Sequence, residues 1–153
     1  FFSNQTTANA ILSGLVGSEM CIRDRKYTGD MIDHKQGCPQ WCDDIARQFP
    51  LHDIGTSLYR MEPGCHLPTH QDTYKAYIEY AKVDLESIFR VIVFLEDWKT
   101  GHYFQLEHDV YTYWRQGEYV EWSSEQAHMG ANVGPEPRYT LQITGVPNES
   151  SIT

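Results

Sequence analysis

The hydrophobic pattern changes character partway along the chain. Between Cys38 and Phe49, Trp41, Ile45 and Phe49 recur every four residues, while Asp43, Asp44, Arg47 and Gln48 supply a polar side. That spacing predicts a short amphipathic helix over residues 38–49, closed by Pro50. From Ile54 onward the chain turns to short runs rich in β-branched and aromatic residues. Residues 58–62 read as a strand stopped by the turn pair Pro63-Gly64, and residues 87–95 (SIFRVIVFL) as the strongest strand of the chain. Further strands are predicted at 103–106, 110–114, 118–122 and 138–144, each bounded by Gly, Pro, Asp or Asn. Short strands with turn signals roughly every 8 to 12 residues predict a sandwich or barrel, with the helix packed outside it. The exception is 73–86, where Tyr74, Tyr77, Ile78 and Ala81 fall at helical spacing. This is read as a short helix or ordered loop between strands, the kind of insertion that serves as a lid, with Tyr74, Tyr77 and Tyr80 facing a substrate or simply packing.

Composition narrows this picture. A chain of 153 residues with 41% hydrophobic content supports one domain with one core. The net charge of −9, with no run of Lys and Arg longer than two, argues against nucleic acid as the partner. No segment has the length of a membrane span. Four cysteines are too few for a disulfide scaffold, so the reducing cytoplasm is the expected compartment. Cys38 and Cys42 lie one helical turn apart; they read as ordinary thiols rather than half a metal site, because no second close pair completes a tetrahedron. The first residues stand apart. The string from Gly17 to Arg25 (GSEMCIRDR) looks like a read-through sequence, so residues 1–25 are read as a non-native or disordered segment and 26–153 as a single domain.

Of the seven histidines, His34, His52, His102 and His108 are read as solvated or hydrogen-bonded side chains. His70 and Asp72 differ. In an extended segment residues i and i+2 point to one side, so His70-Gln71-Asp72 aims an imidazole and a carboxylate at one point. A third ligand from elsewhere would complete a two-histidine, one-carboxylate face with open positions opposite. His128 is the candidate, in the loop-like stretch 126–132 that precedes the last predicted strand. In that strand Arg138, Thr140, Gln142 and Thr144 alternate with Tyr139, Leu141 and Ile143. An Arg and a Thr on one face suit a carboxylate, which the guanidinium grips with two bonds and the hydroxyl with a third.

This order of residues resembles the Fe(II)/2-oxoglutarate-dependent oxygenase superfamily. The run Trp114-Arg115-Gln116-Gly117-Glu118, then Glu121-Trp122, His128, Asn132 and Arg138, is most similar to its aspartyl/asparaginyl β-hydroxylase-type branch. The resemblance spans about residues 58–144 and implies a mainly β fold, a double-stranded β-helix (a jelly-roll, cupin-like barrel) with one or two flanking helices. It implies that His70, Asp72 and His128 ligate Fe(II) and that Arg138, helped by Thr140, anchors 2-oxoglutarate. O₂ would be the oxidant, and a small molecule or peptide the substrate. Arg90, in an otherwise apolar strand, has two readings: an ion pair with a nearby acid, or a second contact to the cosubstrate. Asp72 makes the set a hydroxylating rather than a halogenating one. Two other classes fit the same pattern: a cupin-like metal-dependent isomerase or binding module without 2-oxoglutarate chemistry, and a non-enzymatic β-sandwich.

Overall fold

Nine strands and two helices follow one another along residues 30–33 and 37–148, the residues that the computed structural model describes. Residues 1–25, with Cys21, and also His34 lie outside them. The strands are β1 (Asp30–Asp33), β2 (Leu51–Met61), β3 (His66–His70), β4 (Phe89–Phe94), β5 (His102–Leu106), β6 (Asp109–Tyr111), β7 (Tyr119–Ser123), β8 (His128–Asn132) and β9 (Arg138–Pro147). Helix α1 (Gln40–Ala46) precedes β2, and α2 (Lys75–Ala81) follows β3. One sheet has the order β1-β2-β9-β4-β7 and the other β3-β8-β5-β6, with every pairing antiparallel. From β2 to β9 the chain passes repeatedly from one sheet to the other, and each sheet interleaves early and late strands. That winding is the double-stranded β-helix, and the mainly β expectation holds.

Register decides what the barrel encloses. Arg90, Ile92 and Phe94 of β4 lie opposite Thr144, Gln142 and Thr140 of β9, while Arg90 and Ile92 lie opposite Trp122 and Val120 of β7. These positions face the second sheet, so Ile92, Phe94, Val120 and Trp122 join Phe104, Leu106 and Trp114 in one buried cluster. The alternate positions, Val91, Val93, Leu141 and Ile143, pack outward against Cys42 and Ala46 of α1. Each such aliphatic side chain contributes about 1.5–3 kcal/mol when fully buried.

Several elements depart from their predicted bounds. The helix is shorter than 38–49: Pro39 begins it in an extended conformation, and tight turns replace helix after Ala46. Its buried positions are Cys42 and Ala46, with Trp41, Ile45 and Phe49 half-buried to one side. Strand β2 begins seven residues before Leu58; Asp53 at φ 51° and a register shift between His52 and Gly55 mask it as a turn in the sequence. The strand predicted at 110–114 reduces to the short edge strand β6. Residues 128–132, expected in a loop, form β8, an inner strand of the second sheet. The insertion 73–86 holds α2 and a single 3₁₀ turn at Leu85–Ser87.

Candidate metal centre

Strand pairing brings the two histidines together. His70 ends β3 and lies directly opposite His128, the first residue of β8, with their rings 4.4 Å apart. The Trp122 ring packs 4.9 Å from that of His128, and Phe104 lies beyond it. Asp72 sits two residues past the end of β3. Between them Gln71 turns away and donates from its amide to the Glu125 carbonyl at 2.5 Å, tying this loop to the one leading into His128. The histidine Nε2 atoms then lie 3.5 Å (His70, to Oδ1) and 3.8 Å (His128, to Oδ2) from the Asp72 carboxylate. One ligand atom from each of the three residues lies within 4.8 Å of the others, and no other such His/Cys/Asp/Glu group occurs among the described residues.

The surroundings prepare these atoms to bind a cation. His70 Nδ1 is 2.8 Å from the Pro68 carbonyl and His128 Nδ1 3.3 Å from that of Gln126. A carbonyl only accepts, so each Nδ1 donates its proton there; the neutral rings offer an Nε2 lone pair to a cation, while protonated His70 donates from Nε2 to Asp72 instead. Burial pushes His128 down to about 4, so its ring is neutral near pH 7. His70 is raised above its ordinary value by its hydrogen bond with Asp72. Burial works against the charged Asp72, yet the hydrogen bond with His70 and the charge of Arg90 outweigh it and hold the carboxyl well below the usual range. Two imidazole nitrogens and a carboxylate oxygen on one side fit a divalent ion that keeps open positions opposite.

Arg90 reaches this cluster from β4. Its Nη2 lies 2.8 Å from Asp72 Oδ2, its Nη1 3.3 Å from Gln142 Oε1, and its guanidinium carbon 5.0 Å from the centroid of the Tyr74 ring. Tyr74 is buried, whereas Tyr77 donates to the Asp53 carbonyl at 2.8 Å and Tyr80 is 65% exposed. Of the three tyrosines of this insertion, Tyr74 is the one that packs on a residue in contact with the histidine–aspartate cluster.

Arg138 enters from the first residue of β9 and is only 4% exposed. It donates to the Tyr103 carbonyl at 2.5 Å, its Nε has no partner, and no carboxylate of the described residues pairs with it. Burial pushes it down to about 10, still a cation near pH 7. A Cβ at Gly130 would come within 2.8 Å of its Nη2, so the guanidinium lies against β8 in the facing sheet, two residues along from His128. Thr140, opposite Phe94 and Tyr59, is buried two residues further on the same face of β9.

The remaining histidines and cysteines do other things. His102 is buried with its Nε2 3.0 Å from the Glu136 carbonyl, His52 is paired with Asp53 at the surface, and His108 is exposed. Cys38, Cys42 and Cys65 form no disulfide, Cys38 Sγ lies 3.8 Å from the Thr56 carbonyl, and Cys42 lies in the apolar layer under α1. A surface hollow of about 630 Å³ is lined by Asp97, Trp98, Tyr113 and Arg115 among others, and none of the site residues borders it. Sequence reasoning missed Gln71, Tyr74 as a neighbour of Arg90, and Gln142. Gln142 was within reach, since it shares the parity of Arg138 along β9.

Comparison with solved structures agrees with the fold. The plu4264 protein of Photorhabdus luminescens is similar over 90% of this chain and 89% of its own, with 8% identity and a TM-score of 0.50. A Klebsiella pneumoniae protein with a double-stranded β-helix domain matches over 65% of this chain and 73% of its own, at 14% identity and TM-score 0.43. A sugar phosphate isomerase of the cupin superfamily from Silicibacter pomeroyi matches over 60% and 50%, at 13% identity and TM-score 0.42. No family model matches the sequence, and no curated protein matches it. The first of these likenesses speaks to architecture alone, and the chemistry rests on the side chains. No helix of the described residues is long and apolar enough to cross a membrane.

Proposed function

We propose that this double-stranded β-helix protein is an Fe(II)- and 2-oxoglutarate-dependent oxygenase that hydroxylates an unactivated C–H of a small molecule or peptide side chain. The observation that carries the reading is Arg138. A guanidinium taken out of water without a carboxylate partner is costly, and an anionic ligand offsets that cost. It lies against Gly130 of β8, whose Cα is about 7 Å from that of His128 at strand rise. In this reading a five-carbon diacid runs along β8, with one end at the metal and the other on Arg138. The run of Trp114, Gly117, Trp122, His128, Asn132 and Arg138 resembles that of the aspartyl/asparaginyl β-hydroxylase-type branch.

In this reading His70, Asp72 and His128 hold the ion through two Nε2 atoms and a carboxylate oxygen. The bound metal with 2-oxoglutarate and O₂ supplies the oxidation, the cosubstrate leaving as succinate and CO₂ while the substrate gains a hydroxyl. The protein's own contribution is placement. Arg138 and Thr140 orient the distal carboxylate, the carbonyls of Pro68 and Gln126 fix the imidazole tautomers, and Trp122 and Phe104 keep water from the inner side of His128.

Incubation with Fe(II), ascorbate, 2-oxoglutarate and O₂ is expected to yield succinate, and His70→Ala to abolish it. Tight divalent metal without succinate would instead favour a cupin-type isomerase or binding module. Absence of metal binding would leave a β-sandwich interaction domain.

A further inference from the structure

Asp72 and Tyr74 flank Thr73 and both close on the same side chain. The carboxylate takes Arg90 Nη2 at 2.8 Å, and the phenol ring lies under the guanidinium at 5.0 Å from Cζ. To make this clasp the backbone turns left-handed at Tyr74, with φ 48° and ψ 17°. An aromatic residue there costs of order 1 kcal/mol that a glycine would avoid, so the ring's placement over Arg90 offsets a local strain. On the far side Gln142 accepts from Nη1 at 3.3 Å. Arg90 is therefore held from three directions, and each hold fixes its grip on one carboxylate oxygen, Oδ2. The other oxygen, Oδ1, is the one 3.5 Å from His70 Nε2, while Oδ2 itself lies 3.8 Å from His128 Nε2.

We propose that Arg90 and Tyr74 are a positioning pair for the metal centre: Arg90 occupies Asp72 Oδ2, so that Asp72 ligates through Oδ1 alone, and Tyr74 keeps Arg90 in place. A carboxylate free to swing would take two coordination positions and narrow the open face. With Oδ2 engaged by a charge-assisted bond, one position is used and the opposite face stays open. Arg90 then acts on the metal through Asp72, and Arg138 is left as the guanidinium for an anionic ligand. The inference rests on the metal-site half of the function proposed above and is independent of its cosubstrate half.

The test is equilibrium binding of Co(II) to the full chain, followed by its visible absorption, and then of 2-oxoglutarate to the Co(II)-loaded protein. Arg90→Gln is expected to weaken Co(II) binding about 10- to 100-fold, the usual effect of losing a residue that orients a ligand. Tyr74→Leu, which keeps both partners of the ion pair and a buried apolar side chain, is expected to weaken it severalfold. The double variant is expected to lose less than the sum of the two single losses, because both changes act on the Arg90–Asp72 contact. Thermal unfolding of each variant shows that it is folded, and Tyr74→Leu carries the test if Arg90→Gln is not. Weakened Co(II) binding in the variants of a protein that ignores 2-oxoglutarate would support this inference and end the oxygenase reading. Unchanged Co(II) affinity in Arg90→Gln with weakened 2-oxoglutarate binding would overturn it and make Arg90 a cosubstrate contact. A wild-type protein that binds no Co(II) would overturn it as well.

Discussion

A guanidinium buried without a carboxylate partner is a poor choice for stability, which makes Arg138 the residue most in need of a reason. Replacing it with methionine, similar in reach but uncharged, is expected to leave the fold intact and to stabilise it by about 1–3 kcal/mol in urea unfolding, the range seen when buried charges give way to packed apolar groups. The same variant is expected to lose 2-oxoglutarate turnover. A loss of stability would show that Arg138 is structural. The metal ligands set a second expectation at this scale. Metal requires unprotonated ligands; His128, pushed down to about 4, is ready near neutrality, whereas His70 is raised above its ordinary 6.5 and holds its proton longer. Affinity should therefore fall as pH drops through the raised His70 value, approaching one proton per ion, with a second proton competing only near pH 4. Titrations with Co(II) between pH 5 and 8 measure that slope, and a flat profile would contradict the assignment of His70.

At the scale of elements, β9 is the member on which both layers depend. Its inward side chains meet the site and its outward ones, Leu141 and Ile143, meet α1. Leu141→Ala is expected to cost about 2–5 kcal/mol, read from the urea midpoint at unchanged m, while Tyr80→Ser on the exposed face of α2 should change stability little. This strand was legible in the sequence because its two faces differ in chemistry and alternate without a break. Strand β8 was not. Gly130, Ala131 and Asn132 read as a turn, yet Gly130 is small because the Arg138 guanidinium lies on it. The first half of β2 was hidden by the left-handed Asp53 and the bulge before Gly55. Within the site, the His70–Asp72 spacing suggested a pair of ligands, and His128 was a candidate from its place before the last strand as well as from the resemblance. The clasp of Arg90 by Tyr74 had no sequence signal, since nothing in a tyrosine foretells a positive φ.

For the whole molecule, the barrel serves as a frame that brings residues far apart in sequence to its interior. The β3–β8 register sets the two histidines, β4 brings Arg90, and β9 brings Arg138 across to the facing sheet. Because the ligands come from separate elements, metal should bind the folded chain and not the unfolded one. Divalent ion at about a hundredfold its Kd is then expected to raise the unfolding free energy by about 2.7 kcal/mol, a gain that chelator removes and His70→Ala lacks. No such gain would mean that the three ligands do not act together.

The most direct measurement is a crystal structure of the protein grown or soaked without oxygen in Mn(II) and 2-oxoglutarate. The ion is expected on Nε2 of His70 and His128 and on Oδ1 of Asp72, with the far carboxylate of the diacid on Arg138. Metal bound elsewhere, or an Arg138 that holds no ligand while the ion is in place, would contradict the oxygenase account.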